Sequence, residues 1–328
     1  MSAIARQPRI GERHPQLVNL VAVTLGLAAA CAVFESIDEA FFSSFNLNTL
    51  ALFSSIAVLV GIGQLMVLAI GQFNLAIGAM GACGGVSAAA LMQLFRVPIT
   101  LAILAGLVAG LIAGLAQGLL IAYTPLNPFI VTLALASVYL GAATGMTGAV
   151  AFNTLPGGFD NIGTVLWFSV TDEWWIVLAI AVFVWFLFHG TAAGPRLLAT
   201  GGDRNAAFAS GVQVKSLTVA AHAASGVLGA AAGILLAAQL GSAQISIGGD
   251  WLLISFAGPV LGGTSISGGR VSVVGAILGG CLMTVLQNGL VIAGASPYWV
   301  DSFYGVALVF AFAVDRLRRH HELQIGAA

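Results

Sequence analysis

Charge is what this chain has least of. Asp, Glu, Lys and Arg make up 7% of its 328 residues, against roughly 25% in a soluble domain. So few charges cannot cover a water-facing surface of this size, which excludes a soluble enzyme and calls for an apolar, lipid-facing exterior. The 11 basic residues nearly balance the 12 acidic ones, leaving no electrostatic ground for nucleic acid as a partner. Cysteine is also scarce. Cys31, Cys83 and Cys281 each stand alone in an apolar run, without CxxC or metal spacing, and read as small buried hydrophobes. His14, His320 and His321 lie in polar tails, His189 at the end of a span and His222 inside one, none at ligand spacing. HExxH, GxSxG, GxxxxGK[ST] and paired buried carboxylates are all missing. An intramembrane enzyme would need one such constellation. The Gly-rich run Gly262–Gly269 lacks the Lys and Ser/Thr that make a phosphate loop specific, so no cofactor is expected in this chain and ATP binding is not expected of it.

What is present is apolar sequence, 59% of the chain, and 42 glycines. Small residues let transmembrane helices approach closely. Ten apolar stretches run approximately 17–34, 50–70, 76–94, 98–122, 128–149, 174–189, 216–239, 251–264, 271–293 and 302–315. The first is long enough to span and is read as a helix, not a cleaved signal. Stretch 251–264 is short for a crossing, as half-helices packed inside protein are. The expected fold is all-α, a polytopic helical membrane protein of about ten transmembrane helices. Residues 1–16 form an N-terminal tail, 17–315 the membrane domain, and 316–328 a C-terminal tail.

If all ten stretches cross and the N-terminus is cytoplasmic, Arg6, Arg9, Arg13, Arg196, Arg204, Lys215, Arg270, Arg316, Arg318 and Arg319 lie inside. Only Arg96 lies outside, as the positive-inside rule requires. Glu35, Asp38, Glu39, Asp160, Asp172, Glu173, Asp250 and Asp301 then fall outside, and Trp167, Trp174, Trp175, Trp251 and Trp299 gather near the outer ends as an aromatic belt. Both termini are cytoplasmic in this solution.

Two loops stand out. Loop 150–173, with Asn153, Pro156, Gly157, Gly158 and Asp160, reads as an ordered outer loop. Loop 190–215 is the longest inward-facing one. Gly194 and Pro195 break the preceding helix, and Gly201–Gly202 interrupt the chain again. Asp203 is an N-cap for a short helix through Arg204–Ser210 that ends at Gly211. Such a helix suits the docking of another protein, and a plain solvated connector is the equal alternative. Residues 71–85 and 262–280 echo each other as Gly-broken stretches, so helices 2–5 and 7–10 form two related blocks, the inverted repeat of a transporter.

Gly110, Gly114 and Gly118, and likewise Gly275 and Gly279, are placed for helix packing. Uncharged polar residues inside spans are Gln64, Gln72, Asn74, Gln117, Asn127, Thr132, Gln287 and Asn288. Each must face the bundle interior or a wet path. Asn74 and Asn288 sit beside Gly-broken stretches. With Gln72, Thr264, Ser265 and Gln287, they are the candidates to line a polar translocation path. Carboxylates are missing from the middle of spans, which speaks against a stand-alone secondary transporter or channel driven by protons or sodium, the rival reading. Energy would have to come from a partner.

The stretch Val260-Leu-Gly-Gly-Thr-Ser-Ile-Ser-Gly-Gly-Arg270, followed by Gly275, Gly279 and Gln287-Asn288-Gly289-Leu290, resembles the permease subunit of ribose/xylose/arabinose-type ABC sugar importers. Gly294-Ala-Ser-Pro-Tyr298 and Ala313-Val-Asp315 are similar to that family's ending. Phe45–Asn48 resembles its second-helix entry, Gly71–Gly78 its GIDLSVG-like motif, and Gly201–Ala207 with Ser210–Val212 its GGNxxAAxxSG loop. The resemblance covers about residues 40–315. It implies a bacterial inner-membrane permease for a sugar or sugar-like solute, paired with a second permease subunit as a homodimer or heterodimer, a cytoplasmic ATPase holding ATP and Mg, and a periplasmic binding protein. Arg196 and Gly201, Gly202, Asp203, Arg204, Asn205, Ala206 and Ala207 would couple to the ATPase. Three positions depart from the family. Asn74 stands where Asp is usual, Asp203 where Asn is usual, and Arg204–Asn205 replaces an x-Glu pair. The more basic loop points to a different chain as the second permease subunit.

Overall fold

The computed structural model describes residues 15–162, 166–167 and 170–296, and the single positions 299, 302, 305, 306 and 309. The tails and most of stretch 302–315 lie outside the described residues. Nine of the ten stretches are helices, here α1 (Pro15–Ile37), α2 (Ser44–Leu68), α3 (Ile77–Phe95), α4 (Ile99–Tyr123), α5 (Pro128–Thr147), α6 (Asp172–Gly190), α9 (Val214–Leu240), α10 (Trp251–Leu261) and α11 (Val273–Ile292). Two shorter helices, α7 (Ala193–Gly202) and α8 (Arg204–Ala209), lie between α6 and α9. Among the described residues the only paired strands are β1 (Leu166–Trp167) and β2 (Val170–Thr171), antiparallel with Leu166 opposite Thr171.

Eight of the helices are long and apolar enough to cross a membrane, and the chain is a multi-pass membrane protein. Their ends follow capping chemistry. Ser43 accepts from Asn46 N at the start of α2, and Ser272 accepts from Gly275 N at the start of α11. Asn127 accepts from Phe129 N and places Pro128 at the first turn of α5, where a missing N–H costs nothing. Asn127 is therefore an exposed cap and not a polar residue inside a span. Gly148 and Gly241 close α5 and α9 in the left-handed conformation.

The centre is α2, α3 and α9, whose apolar windows are 78%, 67% and 67% buried, whereas that of α1 is 11% buried. A two-fold logic relates the halves. α9 packs on α4 and α3, while α2 packs on α11 and α10, and α2 and α9 meet each other. In each half a long helix (α2, α9) is followed by a non-helical segment (69–76, 241–250) and then a helix that starts inside the bundle. The second segment dips inward, because a Cβ on Gly78 at the start of α3 would overlap the Gly248 carbonyl. Trp251 follows immediately, is 3% exposed and lies over Gly81. This corrects its place in the aromatic belt: the dip carries it from the outer end into the interior. α10, at 11 residues, is about 16 Å long and completes the crossing that the dip begins.

Helix contacts run at backbone distance. Gly110, Gly114 and Gly118 on α4 face Gly226, His222 and Val219 on α9, and a Cβ on any of them would strike that helix. Gly275 lies on Gly262, and Gly279 on Gly258. Cys31, Cys83 and Cys281 are free and half-buried, less enclosed than their apolar surroundings imply. Gly114→Val and Gly233→Val are expected to lower thermal stability in detergent by about 1–3 kcal/mol or to prevent folding. Gly145→Val, which meets nothing within 4 Å, is the control and leaves the melting temperature unchanged. Equal melting of all three would contradict the close-packed arrangement.

Candidate functional site

A non-helical backbone inside a membrane must find partners for its N–H and C=O groups. Segment 69–76 finds them in buried amides. The Gln64 amide, oriented to satisfy both groups, donates to Asn74 O at 3.0 Å and accepts from Asn74 N at 3.2 Å, as a neighbouring peptide would. Gln72 N donates to Val67 O at 3.2 Å. The Asn74 side chain accepts from Ala76 N at 2.9 Å and donates to Ser225 Oγ on α9 at 2.8 Å. Phe73 meets Phe256 of α10 in a tilted contact, ring centres 5.5 Å apart. Asn74 is fully buried and Gln72 nearly so.

At the near end of this segment three turns converge. A Cβ on Gly71, at φ +70°, would overlap Ser267 O and touch Gly201 O. Gly268 at φ +84° lies on Gly71 N and the Gly201 Cα, and Gly269 N donates to Ala69 O at 3.2 Å. A side chain at Gly201 would overlap Ala69 O. The end of α7, the end of α2 and the turn between α10 and α11 thus form one glycine junction. Within that last turn Ser265 N donates to Arg270 O at 2.9 Å, and Thr264 Oγ1 accepts from Ser272 N at 3.2 Å.

Gly71, next to Gln72, meets Ser267 and Gly268 of the turn that carries Thr264 and Ser265, whereas Asn288 lies elsewhere. Asn288 Nδ2 donates to Asn46 Oδ1 at 2.9 Å, and Asn46 in turn donates to Phe41 O at 2.8 Å. It lies 16 residues beyond Ser272 along α11, about 24 Å away, near the opposite end of the bundle. Gln287 is half-buried beside it. The candidate set is therefore two groups, one at each end.

Loop 190–215 holds two helices with a cap between them. Gly194 and Pro195 lie within α7, in its first turn, where Pro is tolerated. α6 ends before them, at Gly190. Asp203 accepts from Asn205 N at 2.9 Å and from Ala206 N at 3.0 Å, starting α8, and Gly211 follows at φ +82°. Arg204, Asn205, Phe208, Gln213, Lys215 and Ser216 line a cleft of about 350 Å³ at the base of α9. Phe208 is 73% exposed, and Lys215 Nζ lies 4.9 Å from the Tyr123 ring centre. Arg196 is exposed on α7, and Ala207 is buried beneath α8.

Two ionisable residues are buried that the sequence pattern leaves at a span end or without a partner. Glu173, in the first turn of α6, is fully buried; its Oε2 accepts from Ser55 Oγ of α2 at 2.9 Å and from Gln239 Nε2 of α9. It is thus an interior group rather than an outer-loop acid. Neighbouring Asp172, at the same helix start, gives no hint of this, since the burial comes from α2 and α9. His222 is fully buried between Gln72 and Gln117.

Removing the α8 cap with Asp203→Ala is expected to cost that helix about 1 kcal/mol. Amide exchange at Asn205 and Ala206 should then quicken about fivefold, read by hydrogen-exchange mass spectrometry. Unchanged exchange would mean that packing alone holds α8.

Residues 46–312 match the family described as branched-chain amino acid transport system / permease component. Among curated proteins, the chain is 33% identical to the ribose import permease protein RbsC of Bacillus subtilis (strain 168), covering 89% of this chain and 91% of the relative. It is 32% identical to the galactose/methyl galactoside import permease protein MglC of Escherichia coli (strain K12), covering 90% and 93%. It is 30% identical to the D-allose transport system permease protein AlsC of the same strain, covering 89% and 90%.

Proposed function

This chain belongs to the branched-chain amino acid transport system / permease component family, and from that premise we propose that it is the membrane permease of an ABC importer for a sugar or sugar-like solute. The observation that carries the sugar class is its 30–33% identity, over about nine-tenths of each chain, to permeases named for ribose, galactose and D-allose. The chain itself is a conduit and not an enzyme. ATP and Mg belong to a cytoplasmic ATPase, and a periplasmic binding protein delivers the solute. A second permease subunit completes the pathway, and the basic α8, with Arg204–Asn205, favours a different chain in that place.

The protein sits in the bacterial inner membrane with both termini cytoplasmic. This places α7, α8 and the glycine junction on the cytoplasmic side. α8, with Arg204 and exposed Phe208, docks on the ATPase, together with Arg196, Gly202 and Asp203. Movement of α7 reaches segment 69–76 and the turn 262–272 through Gly201, Gly71 and Gly268, which touch at backbone distance and leave no side chain to absorb it. The halves then tilt about the pair α2 and α9, opening a path first to one side and then to the other. Gln72, Asn74, Thr264 and Ser265 line its inner part, and Gln287 and Asn288 its outer part. Their uncharged amides and hydroxyls suit weak, exchangeable contacts with sugar hydroxyls.

The test is to co-purify the chain with the ATPase encoded beside it and measure hydrolysis with and without the binding protein. Binding-protein-stimulated hydrolysis is the expected result. Arg204→Glu should insert normally but cut that stimulation about tenfold, a coupling loss of ordinary size. Full stimulation in the variant would remove α8 from the docking site. A folded chain that captures no ATPase would overturn the importer reading.

A further inference from the structure

His222 is the ninth residue of α9, roughly 13 Å along it, and has no exposed surface. Its Nδ1 lies 2.8 Å from Gln117 Nε2 on α4. An amide nitrogen only donates, so Nδ1 carries no proton and accepts. The proton is then on Nε2, which donates to Gln72 Oε1 at 3.0 Å. Both ring nitrogens of a neutral imidazole are thus committed, each to a different element. α4 packs closely on this turn of α9: a Cβ on Gly118 would lie 3.2 Å from the His222 Cβ, and one on Gly114 would overlap the His222 carbonyl.

Gln72 directly follows Gly71, the glycine wedged between Ser267 O and Gly201 O. One peptide bond and the Gln72 side chain therefore link Gly71 of the junction to the imidazole. Two residues beyond Gln72, Asn74 bonds Ser225, one turn further along α9. Segment 72–74 is fastened to α9 at two successive turns, at His222 and at Ser225, and through His222 also to α4.

We propose that His222 is a positioning residue of the transport cycle. It clamps the non-helical segment 69–76 to α4 and α9, so that displacement at Gly201 is delivered to Asn74 instead of being lost as local bending. Without the clamp, the Gln72 side chain loses its bond to α9, and the stretch between the glycine junction and Asn74 is left to bend on its own. Such a loss separates the two halves of the cycle: the ATPase still turns over, and the pathway ceases to follow it. The inference rests on the permease reading above.

The experiment uses the complete complex in proteoliposomes, with ATPase and binding protein, and measures uptake of tritiated D-ribose, D-galactose and D-allose alongside ATP hydrolysis. Folded protein is quantified by gel filtration. His222→Leu and Gln117→Leu are each expected to keep binding-protein-stimulated hydrolysis within about twofold while uptake per ATP falls about tenfold. The double variant should be no worse than either single one, since both remove one clamp. His222→Gln, which retains a donor and an acceptor, should restore most of the ratio. Unchanged uptake per ATP in His222→Leu would overturn the proposal, as would uptake and hydrolysis falling together in step with folded protein. If His222→Leu fails to fold, the same ratio in Gln117→Leu and His222→Gln decides. Wild-type complex without stimulated hydrolysis would instead overturn the permease reading, and the clamp with it.

Discussion

Lipid tails are as apolar as leucine, so the bilayer supplies no hydrophobic force to press helices together. Everything in this chain depends on contact at backbone distance instead. Gly226 lies on Gly114 and the Gly110 carbonyl, Gly233 on Gly81, Gly262 on Gly275 and Gly248 on Gly78. These contacts join α4 and α3 to α9, the end of α10 to α11, and the second non-helical break to the start of α3. Where side chains of any size intervened, the helices would separate and the van der Waals contacts that replace the hydrophobic effect would be lost.

The same constraint explains where polarity is allowed. Breaking a helix inside the bundle frees backbone groups, and each break is repaid by a nearby side chain or strand-like bridge. Gln64 and Asn74 serve the first break. Phe152 and Ala243 exchange two backbone hydrogen bonds of 2.9 Å at the second, tying loop 150–162 over it. The amides of Gln64 and Asn74 are thus tied to a place where the chain is not helical, and such a place can change shape. The glycine junction at Gly71, Gly201 and Gly268 lies at the foot of the first break, which makes a single physical object out of α7 and the interior.

Much of the architecture is legible from composition alone, because a crossing helix needs about 20 apolar residues and announces itself as a run. The nine described helices begin and end within several residues of those runs, and the Asp203 cap of α8 follows from local chemistry that one short window contains. Other features depend on distant partners. Glu173 reads as a loop acid because its burial comes from Ser55 and Gln239, 118 and 66 residues away. The bonds of His222 to Gln72 and Gln117 span 150 and 105 residues, and no local pattern carries them. Trp251 reads as an interfacial aromatic, since nothing in 241–250 announces that this glycine-rich segment turns inward. Gly194–Pro195 reads as a helix end and is a helix beginning, a distinction that rests on the direction of the chain after the break. Asn288 and Asn74 share a residue type and a glycine-rich setting, yet belong to opposite ends of the bundle.

The central claim is that this chain conducts but does not energise. Its interior amides suit a neutral hydroxyl-rich solute, and its buried carboxyl, Glu173, is held by neutral donors from two helices. The most direct measurement is uptake of a labelled sugar into proteoliposomes, with ATP enclosed, comparing the chain alone under imposed proton and sodium gradients with the chain plus ATPase and binding protein. The account predicts uptake only in the second case. Gradient-driven uptake by the chain alone, without ATP, would contradict it.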